Sequence, residues 1–165
     1  MNTLRIGRLT CSDRASAGVY EDLSGPEIER AISAFFNGTQ LEWRREVLPD
    51  EGTLLEAMLR RLVDDERCQL VVTTGGTGPN RRDVTPEATR AVLDRELPGF
   101  GEIMRTRTFD VAPTSILSRA TAGIRRACLI VNLPGRPAAV AECLAVIGPA
   151  IKKALELLEP EYLEE

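Results

Sequence analysis

Apolar positions along the chain follow two periods. Leu4 to Thr10, Leu70-Val71-Val72 and Ala127 to Asn132 are near-continuous apolar runs, the pattern of strands buried on both faces. Arg8 is out of place in the first of them. Leu41, Trp43 and Val47 instead alternate with Glu42, Arg44 and Glu46, which predicts a half-exposed strand near a sheet edge. Helical spacing lies between the strands. One face is Ile28, Ala31, Ile32, Phe35 and Phe36; the next is Leu55, Met58, Leu59, Leu62 and Val63. Further helical pieces run from Ala88 to Leu93, ending before Pro98, and through Phe100, Ile103 and Met104. Two more carry Val140, Ala141 and Leu144, then Ile151, Leu155 and Leu158, with Pro149 starting or kinking the last.

Local signals punctuate this pattern. Ser24-Gly25-Pro26-Glu27 has capping-box spacing, and Asn37-Gly38 stops the helix it opens. Thr85-Pro86-Glu87 reads as a second helix start, with Thr85 at the N-cap. Pro113 to Arg119 reads as a turn of helix followed by loop. Ala122 to Arg125 and Ala127 to Asn132 form a hairpin joined near Arg126, so the sheet is expected to be mixed. Strands alternate with helices. The expected fold is therefore α/β, a three-layer α/β/α sandwich with a mainly parallel sheet, as one domain over residues 1–165. Ligands of such sheets sit beyond the carboxyl ends of the strands. Four polar or Gly/Pro-rich loops leave those ends here: Ser12-Asp13-Arg14, Pro49-Asp50-Glu51, Thr73 to Glu87, and Asn132-Leu133-Pro134-Gly135.

Composition narrows the chemistry. Of 165 residues, 43% are apolar and 28% charged, with a net charge of −4 and scattered basic residues, so no nucleic-acid surface is expected. No run is long enough to span a membrane, and Met1 to Arg5 lacks the apolar segment of a secretory signal; the expected location is cytoplasmic. Cys11, Cys68, Cys128 and Cys143 are widely spaced, with no Cys-x-x-Cys pair, and the three inside apolar runs read as core residues rather than ligands; disulfides are not expected. Histidine is absent, which excludes Ser-His and Cys-His nucleophile pairs within one chain. Lysine occurs only at Lys152 and Lys153, which excludes a Walker phosphate loop.

The longest loop carries the strongest signal. Gly75, Gly76 and Gly78 with Thr77 would let backbone N–H groups approach an anion ahead of a helix N-terminus. Asp83 in the same loop is at odds with a bare anion site and fits one where Mg²⁺ joins carboxylate to phosphate. Asp13 and Asp50 from neighbouring loops, with Arg14, Arg81, Arg82, Arg119 and Arg136, complete a set suited to a phosphorylated ligand. Plain structural roles remain open for each. Asp50 stands where it could cap the helix near Thr53, and Ser12 and Asp13 where they could make a turn. Asn132 could satisfy buried backbone groups at a strand end, and Pro134-Gly135 is a turn in any case.

These residues together resemble a known family. TTGGTGPNRRDVTPE (Thr73 to Glu87), with Ser12-Asp13-Arg14, Pro49-Asp50-Glu51, Leu117-Ser118-Arg119, Gly123-Ile124-Arg125 and Asn132-Leu133-Pro134-Gly135, is similar to the molybdopterin adenylyltransferases of the wider molybdopterin-binding superfamily. The similarity runs from Leu4 to about Leu158. It implies adenylylation of molybdopterin by Mg·ATP with release of pyrophosphate. It also implies a homotrimer and a molybdenum-insertion enzyme as the next partner. Carried over by motif, Asp50 and Asp83 are the catalytic and metal-holding aspartates. Gly75, Gly76, Thr77 and Gly78, with Ser12 and Asp13, take the nucleotide phosphates. Ser118, Arg119, Asn132, Pro134 and Gly135 are the positions tied to the pterin. Arg8, Asn80 and Arg136 depart from the family pattern, and Arg136 bears on affinity for the pterin phosphate. The alternative within the superfamily is a non-catalytic molybdopterin carrier or partner of the insertion enzyme. The acceptor's own phosphate, with a second pKa of about 6, is already ionised at neutral pH, so no histidine base is needed.

Overall fold

The computed structural model describes residues 3–158; the outermost positions of the 1–165 assignment lie outside the described residues. Six strands form one sheet in the order β2-β1-β3-β6-β5-β4. They are β1 (Thr3–Cys11), β2 (Gln40–Leu48), β3 (Leu70–Thr74), β4 (Arg95–Glu96), β5 (Ala122–Arg125) and β6 (Cys128–Leu133). The pairs β1·β2, β1·β3 and β3·β6 are parallel, while β5 runs antiparallel to β6 and to β4. The expected mixed three-layer fold is what forms, with β2 at one edge. The two-residue β4 was not anticipated: it is too short to leave a periodic signal.

Side-chain alternation sorts the two faces. Leu4, Ile6, Leu70, Val72, Leu129 and Val131 face one layer, which is built by α2 (Ser24–Phe35), α5 (Gly99–Thr108) and α6 (Pro137–Leu158). Leu9, Cys11, Val71, Cys128 and Ile130 face the other, where α3 (Gly52–Arg60) and α4 (Thr85–Val92) supply Leu55, Leu59, Ala88 and Val92. A short α1 (Asp13–Ser16) follows β1. The four cysteines are all buried and unpaired.

Arg8 now has a physical reason. Its place in the alternation turns it toward α2, where Nε donates to Glu29 at 2.7 Å and Nη1 to Asp22 at 3.1 Å. A buried guanidinium is tolerable because two acids meet it. Asp22 also replaces the expected cap of α2: its Oδ1 accepts from the Gly25 N–H at 3.0 Å, whereas Ser24 turns away and donates to the Gly135 carbonyl. Thr85 likewise is the first helical residue of α4, not its cap. The last two predicted helices are one, with Pro149 inside α6. Residues 145 and 149 both face solvent, so the carbonyl freed by the proline is left to water rather than to the core.

Topology decides where a ligand can sit. The chain leaves β1 through α2 on one face to reach β2, then crosses back through α3 on the opposite face to β3, on the other side of β1. The direction of winding reverses at β1, which opens a crevice beyond the carboxyl ends of β1 and β3.

Candidate active site

A cleft of about 480 Å³ occupies that crevice. Thr10 to Ser12 and Thr74 to Gly76 form its floor, Asp50 and Asp83 stand on one side, and Tyr20 to Ser24 with Gly135 to Pro137 on the other. The glycines are required where the loop starts. Gly75 (φ +90°) and Gly76 (φ +66°) are both left-handed. A Cβ on Gly75 would strike the Cys11 carbonyl, and one on Gly76 would strike Thr85 Oγ1 and come within 3.0 Å of Asp50 Oδ1.

Asp13 and Asp50 bind each other's backbones. The Asp13 N–H donates to Asp50 Oδ2 at 3.1 Å, and the Asp50 N–H donates to Asp13 Oδ1 at 3.0 Å. Arg82 then grips Asp13 with its fork, Nε and Nη2 donating at 3.0 and 2.9 Å. The two carboxyls respond in opposite directions. The Arg82 fork, helped by the Asp50 N–H, holds Asp13 below the usual carboxylate range. Burial pushes Asp50 up, and the charges of Asp13 and Asp83 push the same way. Asp50 does not cap α3, whose N-cap position is Glu51.

Two buried oxygens at this point have no hydrogen-bond partner: Asp50 Oδ1 and Thr85 Oγ1. The nearby Cys11 thiol, its pKa pushed up to about 12 by burial, is too weak a donor to count as a partner for Thr85. Buried polar atoms are almost always bonded, so an unbonded pair flanking a glycine turn marks a place shaped for something else. A free carboxylate oxygen suits a hard divalent cation. Among the described residues no three acidic, Cys or His side chains converge, so Asp50 would contribute a ligand to a cation without closing its shell.

The rest of the loop is turned elsewhere. Arg119 donates to the Gly78 carbonyl at 2.9 Å and the Asp83 carbonyl at 2.7 Å, and pairs with Glu87; its own N–H bonds the Thr77 carbonyl at 2.8 Å. Arg119 is thus a clamp on the loop, and Thr77 and Gly78 do not line the cleft. Asp83 Oδ2 accepts from the Asn80 N–H at 3.0 Å and still lines the cleft. Asn132 is fully buried: Nδ2 donates to Thr73 and Thr89 at 3.0 and 2.9 Å, and Oδ1 accepts from the Thr121 N–H at 3.3 Å. The structure gives Asn132 the satisfying role, outside the lining of the cleft. Ser118, half-buried, accepts from the Ala120 N–H at 3.3 Å and lies outside the cleft. Pro134 lends its carbonyl to Thr74 Oγ1 at 2.7 Å, while Gly135 does line the cleft. The wall from Tyr20 to Ser24 was missed; the sequence signal was Arg8, which had to be met by acids.

Residues 7–153 match the family described as the probable molybdopterin binding domain. The chain belongs to the molybdopterin-binding domain family. It is 49% identical to a molybdopterin adenylyltransferase of Helicobacter pylori over 164 residues, covering 99% of this chain and 93% of that one. Identity to the molybdopterin adenylyltransferase of Escherichia coli is 46% over 176 residues, with 99% and 90% covered. The molybdopterin-binding domain also superposes on the molybdopterin biosynthesis Mog protein of Mycobacterium ulcerans, with a TM-score of 0.86 at 34% identity and 94% and 99% covered.

Proposed function

We propose that the chain is a molybdopterin adenylyltransferase of molybdenum cofactor biosynthesis, using Mg·ATP and releasing pyrophosphate. The observation that carries the mechanism is the unbonded Asp50 oxygen beside the Gly75–Gly76 turn, at the crevice where the sheet reverses its winding. In this reading the Gly75–Gly76 backbone and the start of α4 receive the nucleotide phosphates, and Asp50 with Asp83 would hold the cation. When bound, Mg²⁺ supplies positive charge against the phosphates and the departing pyrophosphate.

The step is an in-line exchange at phosphorus. An oxygen of the pterin's phosphate forms a bond to the α-phosphorus of ATP. The bond from that phosphorus to the bridging oxygen of the β-phosphate breaks, and pyrophosphate leaves with the electron pair. No proton has to move, which suits a chain with no histidine. The protein's work is to hold two anions together and in line. Arg82 keeps Asp13 ionised and Asp13 fixes the Asp50 backbone, so Asp50 presents one oxygen in one orientation. Assembly as a homotrimer, to be read by sedimentation equilibrium, could cover the exposed apolar side chains Phe109, Val111, Ile116 and Leu117. The molybdenum-insertion enzyme would receive the product, in the cytoplasm.

Asp83→Asn tests the assignment. Turnover is expected to fall at least about 100-fold with molybdopterin affinity kept; equal turnover would remove Asp83 from the mechanism.

A further inference from the structure

The cleft carries a charge imbalance that its proposed cation does not fully answer. Glu21, Asp50 and Asp83 line it without a basic partner, Asp22 lines it but is paired with Arg8, and the one basic lining residue is Arg136. Arg82 is already committed to Asp13. The Arg136 guanidinium makes no hydrogen bond or ion pair with any described residue, and its side chain is exposed.

Its backbone is held firmly. Thr74 Oγ1 donates to the Pro134 carbonyl at 2.7 Å, Ser24 donates to the Gly135 carbonyl, and the Gly75 N–H donates to the Leu133 carbonyl at 3.2 Å. Gly135 packs against Gly75, since a Cβ on it would lie 3.5 Å from the Gly75 Cα. The 22-residue α6 starts at Pro137, adding the positive end of its dipole. Arg136 also lines a second, smaller cavity of about 130 Å³, together with Thr108, Thr114, Ser115 and Glu142. A free guanidinium on a fixed backbone therefore stands at the seam between two cavities.

We propose that Arg136 is a specificity-determining residue that binds the phosphate monoester of the acceptor at this seam. The proposal rests on the adenylyltransferase reading. The nucleotide brings a divalent cation and meets backbone amides on the Gly75–Gly76 side. The acceptor's phosphate brings no cation, and near the three carboxylates that have no basic partner, Glu21, Asp50 and Asp83, it needs one from the protein. A planar guanidinium can take two phosphate oxygens at once and leave the third directed at the α-phosphorus, which an ammonium cannot do with the same geometry. No bond to Arg136 is made or broken during transfer.

The test is isothermal titration of molybdopterin, and separately of Mg²⁺ with an ATP analogue carrying a methylene between its α- and β-phosphorus, into wild type, Arg136→Ala and Arg136→Lys. Arg136→Ala should weaken molybdopterin about tenfold or more and leave the ATP analogue within about twofold. Arg136→Lys should recover part of the loss. A pterin lacking the phosphate should bind wild type and Arg136→Ala equally, and unchanged melting temperatures should show that the variants fold. Equal molybdopterin affinity in Arg136→Ala overturns the proposal, as does a loss confined to the ATP analogue. Failure of wild type itself to bind molybdopterin overturns the adenylyltransferase reading and this proposal together.

Discussion

Two sets of buried polar atoms lie at the carboxyl end of the sheet, and they are built in opposite ways. Around Asn132 each polar side-chain atom has a partner: Thr73, Thr89 and the Thr121 N–H use up its amide. Around Gly76, Asp50 Oδ1 and Thr85 Oγ1 have none. Completed networks hold β3, β6 and α4 together, because any loss leaves buried atoms unbonded. Unbonded atoms weaken the fold and persist where a ligand is meant to finish them. The contrast separates a residue that the family resemblance had placed at the pterin from one it had placed at the metal. Burial alone does not make the distinction; satisfaction of hydrogen bonds does.

The contrast can be broken most forcefully at Asn132. Asn132→Leu strands three partners at once and should cost about 4 kcal/mol of stability, read from urea unfolding. A loss of activity with intact stability would instead return Asn132 to the substrate. Asp50→Asn should do the reverse. Turnover should fall about 100-fold, or about 2.7 kcal/mol of barrier, while the melting temperature stays level or rises.

The pH dependence of that last difference has a definite sign. Burial raises the folded pKa of Asp50 above its ordinary 3.8, so its stability contribution is present at low pH and is lost as pH rises through the folded value. Asp50→Asn should therefore gain on wild type at neutral pH, and the gap should close below about pH 3.8. A gap that widened in acid would contradict the raised pKa. The smallest effect sharpens the comparison within one residue type. Thr89→Val should cost about 1 kcal/mol, and Thr85→Val, which removes an unbonded hydroxyl, should be neutral or slightly stabilising.

Much of this was legible in the sequence. Period-two and period-3.6 patterns named the strands and helices that carry the core, and the four loops leaving parallel strands do meet at one edge. The misplacements share a cause. Ser24 and Asp50 carry side chains that cap helices in general, yet here each bonds a segment distant in sequence. Local chemistry cannot show such long-range partners. Arg119 and Asn132 were found by motif and look like binding residues, yet one clamps the glycine loop and the other fills the core. Arg8 shows the converse, an apparent misfit whose partners Asp22 and Glu29 are themselves ordinary in sequence.

The most direct test of the account is a single reaction of the purified chain with molybdopterin and Mg·ATP, followed by mass spectrometry for adenylylated pterin and by coupled assay for pyrophosphate, beside Asp50→Asn. The account predicts pyrophosphate and adenylylated pterin in equal amounts from wild type, with none when pterin is omitted, and a rate about 100-fold lower for Asp50→Asn with the pterin still bound. Pterin bound without product in the wild type, or undiminished turnover in Asp50→Asn, would contradict it.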